Sequence, residues 1–287
     1  MARPRVIQSV VEMRREARLA RVHERRVALV PTMGYLHEGH VSLLKAARDT
    51  ADVVVLSVFV NPIQFGPRED LARYPRDMAN DLAKAAVAGV DILFAPTADE
   101  MYPDGFQTFI EVRELQKGLC GDRRPGHFVG VATVVAKLFH IVQPDVAFFG
   151  EKDYQQLQVI RRMAHDLDMH VAIVGMPIVR EPDGLAMSSR NAYLSPEQRK
   201  RALALSRAMF AAAELHGGGE RRAGALLEAA AKTLAAEPEV RLDYLELRDA
   251  ETLAPIEPGE TLRAPAVLAV AAFVGNTRLI DNVKLAG

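Results

Sequence analysis

The chain has 287 residues, enough for one large or two ordinary domains, and its 49% hydrophobic and 25% charged content is that of a globular protein. Lysine plus arginine (36) balances aspartate plus glutamate (37), so no net field points to nucleic acid or a membrane surface. The single cysteine, Cys120, excludes an internal disulfide framework and a cysteine-based zinc cluster and fits a reducing cytoplasm, and the apolar run Val267 to Val274 is far too short to span a bilayer.

The N-terminal segment carries Arg3, Arg5, Arg14, Arg15, Arg18, Arg21, Arg25 and Arg26. Interleaved Glu12, Glu16 and Glu24 argue against a transit peptide and for a solvated amphipathic helix with Val6, Val10 and Met13 inward. Val27 to Val30 reads as a buried strand, and Val41 to Thr50 as a helix with Val41, Leu44 and Ala47 on one face. Between them lies Pro31-Thr32-Met33-Gly34-Tyr35-Leu36-His37-Glu38-Gly39-His40. A helix N-terminus after a glycine-bearing turn presents free N–H groups and a positive dipole end, which suits phosphate, and His37 and His40 can donate to phosphate oxygens.

Asp52 to Val60 predicts a central parallel strand ended by Asn61-Pro62, and Gln64 to Pro75 a polar loop. Asp77 to Ala88 reads as a helix, Asp91 to Ala95 as a strand, Phe106 to Val112 as a further strand and Gly118 to Gly126 as a glycine-rich loop. Val129 to Val142 predicts a helix, Asp145 to Phe149 a strand, Asp153 to Leu167 a helix and His170 to Met176 a strand. This alternation argues for an α/β fold, a parallel sheet covered on both faces, in which ligands bind beyond the carboxyl ends of the strands. From about Val179 the texture changes. Helices over Ala202 to His216 and Glu220 to Ala236, then strands over Val240 to Leu247, Val267 to Val274 and Asp281 to Leu285, suggest a small α+β second domain.

The residues that follow the strands are the candidate site. His37 and His40 at i and i+3 also fit a metal on one helix face, but no carboxylate or thiol at ligand spacing completes such a set beyond Glu38 between them. Lys152, in Gly150-Glu151-Lys152-Asp153, can neutralise charge at a phosphorus centre or can be a surface lysine; Asp153 can cap a helix or hold a ribose hydroxyl. Ser188-Ser189-Arg190 offers two hydroxyls and a guanidinium for a triphosphate, or an ordinary helix-start loop. Gln64 and Gln156 suit hydroxyls or a carboxylate, or are plain surface amides. Asp77, Asn80 and Asp81 can reach Mg²⁺ through water or decorate a solvated face, and Arg123, Arg124 and His127 can meet an anion or face water.

Taken together, these blocks resemble the pantothenate synthetase (pantoate–β-alanine ligase) family. The matching segments are Pro31-Thr32-Met33-Gly34 with His37-x-Gly39-His40, Val60-Asn61-Pro62-x-Gln64-Phe65, Tyr74-Pro75-Arg76 and Arg124-Pro125-Gly126-His127-Phe128. Gly150-Glu151-Lys152-Asp153-Tyr154-Gln155-Gln156 and Arg180-Glu181-x-x-Gly184-Leu185-Ala186-Met187-Ser188-Ser189-Arg190-Asn191 complete the set.

The resemblance implies a Rossmann-like domain over 1–178 that binds ATP and pantoate, and a smaller α+β lid over 179–287. It implies ATP-dependent adenylation of pantoate, attack by β-alanine, Mg²⁺ accompanying ATP, and a homodimer. ATP would contact Met33, Gly34, Tyr35, Leu36, His37, Glu38, Gly39, His40, Gly150, Glu151, Lys152, Asp153, Val179, Met187, Ser188, Ser189 and Arg190. His40, His37 and Lys152 would be catalytic, with His40 at the family's proton donor. Pantoate would meet Gln64, Gln156 and Asn61. The family's acidic pair near the metal maps to Asn80 and Asp81, and Asn80 departs from it, leaving Asp81 as the metal candidate. Two rivals stay open: another nucleotidyl transferase acting on a phosphate substrate, which would want further basic residues, and a nucleotide-binding regulatory module without turnover.

Overall fold

The computed structural model describes residues 3–67 and 69–286. They divide into two compact units, the first of residues 1–116, 121–151 and 159–177, the second of residues 117–120, 152–158 and 178–287.

In chain order the elements up to Met176 are β1 (Arg5–Ile7), α1 (Val10–Val22), β2 (Val27–Thr32), α2 (Glu38–Thr50), β3 (Val53–Val58), α3 (Met78–Val87), β4 (Ile92–Phe94), α4 (Ala98–Met101), α5 (Leu119–Arg123), α6 (His127–Val142), β5 (Val146–Gly150), α7 (Tyr154–Asp166) and β6 (Ala172–Met176). The six strands form one parallel sheet in the order β1-β4-β3-β2-β5-β6. Alternate residues point to opposite faces. Val30, Leu56, Leu93, Val146 and Phe148 therefore share a core with Leu43, Leu44 and Ala47 of α2 and Ala85 of α3. Leu29, Val55, Phe94, Ala147 and Phe149, on the other face, are equally buried, and α6 packs on β2 there with α1 against it. Burial on both faces is why these strands read as continuous apolar runs. The strand order reverses at β2, which has β3 on one side and β5 on the other, so the carboxyl ends of β2 and β5 lie side by side where such sheets open a crevice.

The second unit is built on β7 (Val240–Asp249), β8 (Ala266–Val274) and β9 (Thr277–Leu285), an antiparallel sheet in that order, with α8 (Pro196–Gly217) and α9 (Ala223–Ala235) packed on it. α8 opens with Ser195 and Gln198 capping each other reciprocally and Pro196 at the first turn. Its core joins Ala204, Leu205, Met209, Leu226, Leu268 and Val270. Lys117, Gly118 and Cys120 belong here because the buried amide of Gln155 bonds the Cys120 N–H and the carbonyls of Lys117 and Gly118 at 3.0–3.2 Å.

Three sequence expectations change. Phe106 to Val112 forms no strand: Ile110 N–H bonds Thr133 Oγ1 on α6 at 3.0 Å, and Phe106 stacks edge-on with Tyr102 and Phe109. Val6, expected inward on the first helix, is exposed and lies on the short edge strand β1. The segment 118–126 contains the short helix α5 rather than loop alone. Among the described residues no helix is long and apolar enough to cross a membrane.

Gly130 explains how α6 can lie so close to the chain after β3. A Cβ there would stand 2.5 Å from the Ile63 carbonyl oxygen and 2.6 Å from Gln64 Cα, both backbone atoms that cannot turn aside. Gly130→Ala should therefore destabilise by about 1–3 kcal/mol of overpacking, although alanine is favoured in a helix by about 1 kcal/mol. Urea unfolding of the variant measures the difference, and a stabilised variant would show that the contact has slack.

Candidate active site

The turn between β2 and α2 is set by its backbone. Gly34 and Tyr35 both have positive φ, +80° and +53°. A Cβ at Gly34 would stand 2.9 Å from Val58 Cγ1 and 3.0 Å from Asp81 Oδ2, so only glycine fits the position. Two amides of the turn run into one carboxylate on α3: Tyr35 N–H donates to Asp81 Oδ2 at 2.9 Å and Leu36 N–H to Oδ1 at 2.7 Å. Asp81 is fully buried, and burial raises its carboxyl above the usual range against the opposing pull of those two N–H groups. Lys84, three residues on, donates to the Leu36 carbonyl. Thr32 Oγ1 accepts from Gly34 N–H at 3.1 Å and donates to the Ser57 carbonyl at 2.8 Å, tying the turn to β3.

His37 occupies the N-cap of α2 and stacks on His40, ring centroids 4.0 Å apart. The His37 N–H donates to His40 Nδ1 at 3.3 Å. With Nδ1 as acceptor, a neutral His40 carries its proton on Nε2 and presents it as a donor. Glu38 is exposed in the first helical turn.

A buried chain of amides follows β3. The Tyr102 hydroxyl donates to Asn61 Oδ1 at 2.7 Å; Asn61 Nδ2 donates to Gln64 Oε1 at 3.0 Å and to the Gly130 carbonyl at 3.1 Å; Gln64 Nε2 reaches Met33 Sδ at 3.2 Å. Asn61 is 1% and Gln64 9% exposed, so Gln64 is not the plain surface amide that its residue type also allowed. Tyr102 is a donor throughout the neutral range, because burial pushes its hydroxyl well above its ordinary value. That fixes both amides: the Gln64 carbonyl oxygen is taken by Asn61, and its NH₂ is the end turned toward the Met33 turn. Gln64 is thereby equipped to donate to a ligand oxygen. The structure thus brings Met33, Asn61 and Gln64 together, with Gly34 to His40 on the same turn; Gly150 ends β5, and Glu151 follows it.

The second unit carries the other candidates. Asn282 Nδ2 donates to the Lys152 carbonyl at 2.9 Å, and Lys152 Nζ stands 3.7 Å from Asp153 Oδ2. Gln156 is half-buried, whereas its neighbour Gln155 is spent on segment 117–120. Val179 accepts from the Met187 N–H at 3.0 Å, closing a tight turn through Gly184. Arg180 makes two hydrogen bonds to buried Asp281, at 2.7 and 2.9 Å. Ser188 Oγ accepts from the Arg190 N–H at 3.3 Å and opens a single helical turn over Ser189–Tyr193.

The metal candidate serves the backbone: both Asp81 oxygens accept from amides of the turn, and the Asn80 N–H is bound to Asp77 Oδ1 at 3.0 Å. Among the described residues no three His, Cys, Asp or Glu side chains come together as a metal set. The described side chains therefore do not build a carboxylate cage for Mg²⁺. Sequence reading missed Tyr102, Gly130, Lys84 and the role of Asp81; a lone buried tyrosine or an internal helix glycine gives a signal only once its distant partner is known.

A family model described as pantoate-beta-alanine ligase matches residues 5–284. Pantothenate synthetase 1 of Bradyrhizobium diazoefficiens is 58% identical over 281 residues, 98% of each chain, and pantothenate synthetase of Geobacter sulfurreducens 55% identical over 281 residues, again 98% of each. Among solved structures, pantothenate synthetase of Thermus thermophilus is similar with a TM-score of 0.92 and 51% identity, covering 99% of this chain and 100% of that one. A pantoate-beta-alanine ligase of Francisella tularensis, complexed with beta-gamma ATP and beta-alanine, matches with a TM-score of 0.77 and 33% identity over 98% of this chain and 97% of that one.

Three substitutions test the buried connections. Asp81→Ala leaves two turn amides without an acceptor and should cost about 2 kcal/mol or more, while Asp81→Asn removes one acceptor and should cost about half as much. Tyr102→Phe strands Asn61 Oδ1 and should cost about 1–3 kcal/mol. Denaturant titration reads all three, and equal losses in both Asp81 variants would contradict the two-amide arrangement.

Proposed function

The chain belongs to the pantoate–β-alanine ligase family, which joins pantoate to β-alanine at the expense of ATP, and we propose that it does so through a pantoyl adenylate. It is an enzyme of the ligase class, and its reaction is ATP-dependent pantothenate formation. A carboxylate is a poor electrophile, so ATP first supplies AMP as a leaving group with release of pyrophosphate. The β-alanine amine then attacks the acyl carbon and AMP departs.

The observation that carries this reading is the contact between Gln64 Nε2 and Met33 Sδ. It sets an oriented amide donor against the strand-to-helix turn that suits a triphosphate. In the proposal, the first unit offers ATP the turn from Met33 to His40 and Gly150 to Glu151; within the second unit, Lys152, Asp153, Val179 and Met187 to Arg190 are the residues that the family resemblance assigns to ATP. Gln64 donates to pantoate, Asn61 holds Gln64 in that orientation, and Gln156 adds a second amide. His40, with its proton on Nε2, donates to a phosphate oxygen as charge develops there, stacked on His37. Lys152 offsets charge at the reacting phosphorus. Mg²⁺ would accompany ATP in this reading and would offset phosphate charge, since the described residues bring no three His, Cys, Asp or Glu side chains together to hold it. The protein acts as a cytoplasmic homodimer on small-molecule substrates, with neither nucleic acid nor membrane as partner.

AMP formation should require pantoate and β-alanine together, whereas pyrophosphate exchange should require pantoate alone. His40→Ala and Lys152→Ala should each lower the adenylation rate by about two to three orders of magnitude with circular dichroism unchanged. A folded variant with near-normal pyrophosphate release would remove its residue from the chemistry.

A further inference from the structure

Arg124 and His127 take no part in the proposed reaction, yet both side chains are committed to partners within the protein. The Arg124 guanidinium forks onto Glu69, with Nε 2.7 Å from Oε1 and Nη2 2.7 Å from Oε2. Its remaining arm, Nη1, stands 2.9 Å from His127 Nε2. His127 is the first residue of α6 and is 8% exposed, and its Nδ1 lies 2.9 Å from the Gln64 carbonyl oxygen.

These distances fix a proton. A guanidinium only donates and is always charged, so Nε2 of His127 must accept. The ring is then neutral with its proton on Nδ1, and that N–H donates to the carbonyl of Gln64. Arg124 selects the tautomer, and the Glu69 fork holds the plane of Arg124. Burial would raise the Glu69 carboxyl, but the hydrogen bonds and charge of Arg124 outweigh it and hold it below the usual range, so the fork stays ionic. Gly130, one turn along α6, lets the helix backbone close on residues 63 and 64.

We infer that Glu69, Arg124 and His127 are positioning residues that clamp the Gln64 carbonyl and so fix where its side-chain amide meets the carboxylate-bearing substrate. None of the three touches the reacting atoms in this assignment. Gln64 is thus held from two directions, its side-chain oxygen by Asn61 and its backbone oxygen by His127. The inference rests on the reading of Gln64 as the pantoate amide. It adds a consequence of its own: the clamp tunes affinity for pantoate, leaving ATP affinity and the chemical step alone.

Two substitutions separate the donor from the ring. The side-chain nitrogen of asparagine can take the place of Nδ1, whereas glutamine reaches only the Nε2 position. His127→Gln should raise the KM for pantoate roughly tenfold, with kcat and the KM for ATP nearly unchanged, and His127→Asn should recover most of that loss. In the unmodified protein, ¹⁵N NMR of the histidine rings should show His127 neutral and protonated at Nδ1. A ring protonated at Nε2 or at both nitrogens would overturn the clamp, even if every variant failed to fold. So would a His127→Asn variant as impaired as His127→Gln, or a pantoate KM that neither change moves. Gln64→Ala is the control for the underlying reading. If it leaves the pantoate KM at the unmodified value while the Nδ1–H signal persists, the substrate role of Gln64 falls and the hydrogen bond to its carbonyl stands.

Discussion

The first unit's site depends on one buried carboxylate that satisfies two backbone amides. A strand that must turn directly into a helix at the carboxyl edge of a parallel sheet leaves N–H groups pointing inward, away from water, and each needs an acceptor. Asp81 supplies both oxygens, from the first turn of α3. Because those amides belong to Tyr35 and Leu36, the carboxylate also fixes the left-handed Tyr35 and the start of α2 just beyond it. His37 and His40 take their stacked arrangement from a turn anchored elsewhere. Asp81 is thereby a support of the turn, with each of its two oxygens accepting from a turn amide.

The same accounting governs the amide chain. Asn61 and Gln64 could be accommodated in this buried place only if every donor met an acceptor, and the Tyr102 hydroxyl begins the chain by donating. From there each assignment follows: Asn61 accepts at its oxygen and donates from its nitrogen, and Gln64 does likewise, ending on a thioether. A thioether is a weak acceptor. The Gln64 NH₂ is therefore the least committed group of the chain, and it is the end that meets the turn. Strong partners fix the support, and a weak partner is left where a substrate oxygen can compete.

The features legible in the sequence were those written locally. Continuous apolar runs at Val27 to Val30 and within Asp52 to Val60, followed by helical spacing, marked a doubly covered parallel sheet, and the glycine-bearing His-x-Gly-His stretch marked the turn from β2 into α2. The features that escaped depend on partners far along the chain. Asp81 meets amides 45 and 46 residues away, and Tyr102 meets Asn61 41 residues away. Neither separation leaves a periodic trace. Phe106 to Val112 failed in the opposite way: its composition suits a strand, but Ile110 donates to a helix side chain, so composition without a neighbouring strand did not suffice. Gly130 cost helix propensity with no local reason, and the reason is the backbone of residues 63 and 64.

In the second unit, consecutive residues of one strand tie together two stretches that sequence reading had to treat separately. Asn282 holds the Lys152 carbonyl from 130 residues downstream, and Asp281 holds both arms of Arg180, at the base of the turn that leads to Ser188 and Arg190. Asp281 and Asn282 are buried at 3% and 4% exposure, in β9 opposite Val270 and Ala269 of β8. Their positions are thus set by the β8–β9 register. A slip by one residue would exchange the faces of every side chain on β9, taking the carboxylate from Arg180 and the amide from Lys152 at once. The apolar run of β8, buried along almost its whole length, makes such a slip costly. An otherwise featureless hydrophobic strand therefore keeps Lys152 and the Ser188–Arg190 segment in one frame, and it does so without contributing a single polar group to either.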